Sequence, residues 1–227
     1  MSWNDGPLQS WYDIHEAIRN DLRHIRAMAG DPTAEAPTSF TENVQFFLDV
    51  LTVHSMHEDG VAFPYMQRRG IEIPKRIREE HIREWSAMYD VRVTLMEIHA
   101  LDEGQGSGPA YERIRTRLET LERDLLAHIE FEDDELIPQC EARLSIDEQK
   151  ELVTKLVGET PTWIAPHLMW WMFSNVSLEH AAHLLEAWRS VLPHATFLEK
   201  AKAIRQGVDA PVWTALKQAV PILSELD

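Results

Sequence analysis

Histidine and glutamate recur in this chain at a spacing that suits a metal ion. Residues 53–64 read VHSMHEDGVAFP and residues 127–138 read AHIEFEDDELIP, so both contain His-x-x-x-Glu-Asp, three more residues, an apolar residue and proline. On an α-helix, positions four apart lie one above the other, about 5–6 Å apart at Cβ. His54 with Glu58, and His128 with Glu132, can therefore each present an imidazole and a carboxylate to one point. Each pair is preceded by a lone histidine on a helical pattern, His15 and His81. If the lone histidines come from two further helices, four imidazoles and two carboxylates converge, which is the ligand set of a carboxylate-bridged two-metal centre in a helical bundle.

The elements that must position these residues follow from apolar periodicity. Residues 11–29 carry Ile14, Ile18, Leu22 and Ile25 at helical spacing, with His15 on the buried stripe and His24 turned to the opposite, solvated face. After a proline-containing loop at 31–37, Ser39 and Glu42 fit a capping box for a second helix that runs to about 63, with Phe47, Val50, Leu51 and His54 on one face and Pro64 as its end. Pro74 opens a third helix to about 101, with Ile77, His81, Trp85, Met88 and Leu95 along one stripe. His99 shares that face but lies too far along the axis to join His81. Residues 102–108 read as a flexible linker, and Pro109 opens a fourth helix whose inner face carries Leu118, Leu121, Leu125, His128 and Glu132. Glu130, Asp133 and Asp134 read as a solvated acidic surface, and Pro138 closes the element.

The expected fold is all-α. Residues 1–140 form an up-down-up-down four-helix bundle, and residues 141–227 form a tryptophan-rich appendage of short helices packed on it, at about 148–157, 177–190, 193–204 and 211–226. Ser145 and Glu148 offer a second capping box. His180 and His183, three apart, are a spacing that alone could bind a metal, but no acidic repeat accompanies them and they read as structural or surface residues. The MWWMF run at 169–173 reads as an apolar element on the bundle, with a lid or wall over the metal pocket as its functional alternative.

Composition narrows the class. Of 227 residues, 44% are hydrophobic and 26% charged, as in a globular protein, and the formal charge of −16 argues against a nucleic-acid or anionic-membrane partner, because both need clustered Lys and Arg. Cys140 is the only cysteine, which rules out an intrachain disulfide and a thiolate cluster. No apolar run reaches the length of a membrane span, and the polar start lacks a secretory pattern, so a reducing cytoplasm is the natural expectation.

The chain over about 11–138 resembles the hemerythrin-like, HHE cation-binding family in the branch with the pattern H…HxxxE…H…HxxxE, here His15, His54 to Glu58, His81 and His128 to Glu132. HEAIRNDL around His15 and the ED…FP and ED…IP endings belong to the same likeness. The resemblance implies a bundle around two non-haem iron ions, with Glu58 and Glu132 as carboxylate bridges, an oxo or hydroxo bridge, and His15, His54, His81 and His128 giving two nitrogens to each iron. Zinc or manganese also suits these donor types. One departure is informative: oxygen carriers of the family place another histidine four residues after the position of His81, where this chain has Trp85.

Two histidines, one oxygen from each carboxylate and a solvent bridge give each iron five donors and leave a sixth position open. Open positions on both irons suit redox chemistry on a small molecule, O2, hydrogen peroxide or NO, and the resemblance implies such roles for relatives, including catalase-like activity. The alternative is a di-iron sensor or binding module that signals through its C-terminal helices. Phe47, Trp85 and Met88 would supply an apolar shell. Tyr12 and Tyr89 are candidates for a redox-active or hydrogen-bonding phenol, or for plain packing. His57 reads as a hydrogen-bonding neighbour of the ligands, a fifth histidine ligand, or an exposed residue. A monomer or homodimer fits equally. Glu58→Ala or Glu132→Ala should lose bound metal and redox activity together, whereas His24→Ala should keep both; metal analysis of the purified variants checks this.

Overall fold

A computed structural model describes residues 6–31, 37–100 and 108–226. The expected linker therefore lies almost wholly outside the described residues, as does most of the 31–37 loop. The described residues are all-helical, with no strand. Helix α1 (Gln9–Gly30) buries Trp11, His15, Ile18, Leu22, Ile25 and Met28 at three- and four-residue steps. Helix α2 (Pro37–His57) begins at its proline, so Ser39 lies inside the helix and not at its cap.

Pro64 and Pro138 do not end their helices. A π turn, Glu58–Ala62, carries α2 directly into α3 (Phe63–Gln67), and a second, Glu132–Leu136, carries α5 (Gly108–Phe131) into α6 (Ile137–Arg143). The Phe63 N–H donates to the Glu58 carbonyl and the Ile137 N–H to the Glu132 carbonyl, five residues back in both cases. A proline in a regular helix collides with the carbonyl four residues earlier and leaves it unbonded. The widened turn takes up that mismatch just before each proline, and such turns are frequent at functional sites. The first continuous helix stops at Gly70, whose φ of 74° is the left-handed conformation that glycine adopts without strain.

Helix α4 (Lys75–His99) follows Pro74 as its N-cap. Its buried line runs through Ile77, His81, Glu84, Met88, Val91, Leu95 and Ile98. Trp85 falls one position past this seam and is 44% exposed, and Tyr89 is 67% exposed, so neither belongs to the expected inner shell. The seam takes the three-residue step from His81 because Glu84 finds an imidazole inside. Phe47 and Met88 are buried as expected. Helices α1, α2, α4 and α5 contact one another in a cycle, α1 with α2 and α5, and α4 with α2 and α5.

Beyond α6 lie α7 (Ile146–Gly158), α8 (Ala165–Ser174), α9 (Leu178–Val191), α10 (His194–Gly207), α11 (Ala210–Ala219) and a 3-10 turn, Pro221–Leu226. The Ser145 capping box forms: its hydroxyl accepts from the Glu148 N–H while the Glu148 carboxylate accepts from the Ser145 N–H. The MWWMF run is helical, inside α8. Of these, α8 and α9 pack on α1, where Trp171 Nε1 donates to Asp21 Oδ2 at 2.5 Å, and Asn20 Nδ2 to the Asn175 carbonyl at 2.8 Å. His180 Nδ1 lies 3.2 Å from the buried Asp13, so it serves this docking face. One apolar core runs from Ile18, Leu121 and Ile129 to Trp188, Phe197 and Leu223. Leu121→Ala should cost about 2–5 kcal/mol of stability, the usual range for an emptied core site, in urea unfolding of the chelator-treated chain.

Candidate metal centre

Each helix of the cycle brings one histidine: His15 from α1, His54 from α2, His81 from α4 and His128 from α5. Glu58 and Glu132 are the first residues of the two π turns. All six side chains are buried. His54 Nε2 lies 3.1 Å from Glu58 Oε1, and His81 Nε2 lies 3.2 Å from Glu58 Oε2. Glu132 Oε2 lies 3.3 Å from His15 Nε2 and 3.6 Å from His128 Nε2. The imidazoles form two pairs, His15 edge-on to His54 and His81 beside His128, whose Nε2 atoms are 3.3 Å apart.

Two donor groups result. His15, His54, Glu58 and Glu132 form one, and Glu58, His81 and His128 form the other, each with ligand atoms within 4.8 Å of one another. Glu58 belongs to both. Nε2 of His15 and of His54, Oε2 of Glu58 and both carboxylate oxygens of Glu132 are buried without a hydrogen-bond partner. Buried polar atoms without partners are costly. Bare imidazole nitrogens and carboxylate oxygens converging in this way fit metal cations.

A further ring of groups fixes the ligands from behind. His15 Nδ1 is 2.6 Å from Asp133 Oδ1, and Asp133 in turn takes a 2.5 Å hydrogen bond from Arg19. His81 Nδ1 is 3.1 Å from Asp59 Oδ2. With Nδ1–H given to an aspartate, Nε2 carries its lone pair toward the centre. His128 Nδ1 faces Glu80 at 3.3 Å and Glu84 at 3.8 Å, and Trp11 Nε1 donates to Glu58 Oε1 at 3.3 Å. Asp133 is therefore not a solvated surface group; it is buried because His15 and Arg19 both need it. The repeated Glu-Asp pair was the available signal for Asp59 and Asp133, whereas nothing in the spacing pointed to Trp11 or Glu84.

The metal-free cluster takes up protons. Burial opposes charge on His15, but the adjacent Asp133 and Glu132 carboxylates outweigh this and raise it to about 9. His81, against Glu58, reaches about 9, and His128, against Glu132 and Glu58, about 10, both in spite of burial. Burial and the neighbouring imidazoles push His54 down to about 3. Burial and the charge of Glu58 raise Glu132 to about 7, while the surrounding histidines hold Glu58 well below the carboxylate range in spite of its burial.

The remaining candidates are placed as follows. His57 is half-buried and lines a cavity beside the centre. Tyr12 is half-buried, and its phenol is held protonated by burial and by Glu141 and Asp133 nearby. Trp85 and Tyr89 face solvent. His24 and His99 are exposed, away from the cluster. The cavity, of about 130 Å³, is bounded by Trp11, His54, His57 and Glu58 on one side and by residues of α7, α8 and α9 on the other.

A buried set of four histidines and two glutamates on a helical bundle defines a metal-binding protein. The model of the hemerythrin HHE cation-binding domain matches residues 6–140, and the chain belongs to that family. Among curated proteins it is 22% and 23% identical, over 201 and 206 residues, to two zinc finger proteins BRUTUS-like of Arabidopsis thaliana, covering 86% and 87% of this chain. It is 20% identical over 224 residues to the zinc finger protein BRUTUS of the same plant. The chain spans only 16–18% of the length of these relatives. The matched share of this chain reaches beyond residue 140, into the C-terminal helices. No solved structure matches it.

Asp133 is 5% exposed and Asp59 is 47% exposed at the side chain. Asp133→Ala should thus weaken metal binding more than Asp59→Ala, within the 10–100-fold usual for such supporting groups, as read by competition with a chelator. Because His15, His81 and His128 titrate above 6.5, metal must displace their protons at neutral pH. Affinity should rise with pH toward about 9 to 10, with proton release detectable by an indicator dye in weak buffer.

Proposed function

We propose that this chain holds two iron ions, one at each donor group, and performs redox chemistry on a small molecule, O2, hydrogen peroxide or NO. The observation that carries this is the sharing of Glu58 by two buried donor groups, one of which opens on a cavity. Iron bound at these groups supplies one-electron redox steps and coordination positions for such molecules. The residues do the rest. Asp59 and Asp133 hold His81 and His15 with Nε2 inward, Trp11 steadies Glu58, and the apolar wall keeps bulk water from the centre.

The reading includes an up-down-up-down four-helix bundle over 1–140, supported by the cyclic contacts of α1, α2, α4 and α5, with 141–227 as an extension packed on it. It also includes a reducing cytoplasm, which suits the single buried Cys140. No described helix is long and apolar enough to cross a membrane.

Metal analysis and an optical spectrum of protein purified without added metal, followed by hydrogen peroxide with recording of oxygen release, test the reading. Two irons per chain, near-ultraviolet bands and sustained oxygen release are expected for a peroxide-handling centre. A stoichiometric spectral change without turnover would move the function to sensing through the C-terminal helices. Absence of iron would overturn the proposal.

A further inference from the structure

The cavity beside His54 and Glu58 is larger than O2, peroxide or NO requires, and half of its wall comes from beyond the matched cation-binding domain. Val157 from α7, Leu168 and Met172 from α8, and Leu184 and Trp188 from α9 face Val50 and Val53 of α2 across it. At about 130 Å³ it is of the order of an engineered apolar cavity, about 150 Å³, that takes up benzene. Among the described residues no lysine or arginine lines it, so no side-chain ammonium or guanidinium there pairs with a carboxylate or phosphate.

Its polar groups are few. The Ser10 hydroxyl donates to the Pro7 carbonyl and the Thr160 hydroxyl to the Leu156 carbonyl. The His57 Nε2 is buried with no hydrogen-bond partner. One ring nitrogen of a neutral imidazole is an acceptor, and no donor among the described residues meets Nε2.

We infer that this cavity is a binding site for an apolar organic molecule of about one-ring size carrying a single hydrogen-bond donor, such as an alcohol or phenol, with that donor on His57 Nε2 and beside the metal ligands. The C-terminal helices thereby select what reaches the centre. The inference deepens the function proposed above and rests on it for any reaction of the bound molecule. The binding itself depends only on the cavity.

Sealed equilibrium dialysis of the full chain, as purified, against benzyl alcohol and toluene tests it. Both should bind. His57→Phe should weaken benzyl alcohol about tenfold, the loss expected of one buried hydrogen bond, and leave toluene unchanged. Leu168→Trp and Val157→Phe, which fill the cavity from two different helices, should each weaken both probes about tenfold or more with metal content unchanged. If one filling variant fails to fold or loses metal, the other decides. Failure of the wild-type chain to bind either probe, or binding indifferent to the filling variants, would overturn the site. An equal loss of both probes in His57→Phe would overturn the role of its Nε2. Absence of iron would overturn the function proposed above but not this site, because dialysis reads binding without turnover.

Discussion

Two carboxylates buried among four imidazoles are the constraint to which the rest of the bundle answers. Glu58 and Glu132 are shut off from bulk solvent, and a buried carboxylate is tolerated only with positive charge or donors close by. The chain meets this demand in layers. Imidazoles surround the carboxylates, aspartates and glutamates face the outer nitrogens of three of those imidazoles, and Arg19 closes the sequence at the edge of the protein. Each layer reverses the sign of the one inside it. Charge is balanced outward from the centre, and cations held by the cluster would complete the pattern that protons otherwise supply.

The π turns are the backbone counterpart of this arrangement. Each begins at a glutamate of the buried cluster and ends just before the residue that precedes proline. One additional residue per turn rotates everything downstream by roughly the angle of one helical position. The residues after the turn can thus join an apolar cluster, in which Ala62, Phe63 and Met66 meet Leu136, Ile137 and Cys140. The same helix serves a charged site on one side of the turn and a dry core on the other.

The sequence displayed the centre more openly than its surroundings. A repeated six-residue motif made the ligand types and their helical faces readable, since helical spacing is a local property. Asp133 was misread because an amphipathic pattern assigns acidic residues to solvent, and a purely local reading cannot see the His15 and Arg19 partners that lie more than a hundred residues away. Trp85 was misread because steps of three and four are equally helical, and only the position of His128 selects Glu84. Pro64 and Pro138 read as stops because the regular ladder forbids them, which leaves a widened turn out of consideration. The cavity was beyond reach for a further reason: its walls come from α2, α7, α8 and α9, and the docking of those helices is decided by contacts such as Trp171 with Asp21 that carry no sequence signature.

The two halves of the repeat also depend on each other. Asp133 of the second half holds His15 of the first, Asp59 of the first holds His81 of the second, and the donor group of His15, His54 and Glu58 is filled out by Glu132. Neither half contains what it needs to fix its own lone histidine. A single half would be complete only as a pair of identical copies exchanging aspartates about a two-fold axis, so the present chain has the internal logic of a dimer written once along one polypeptide.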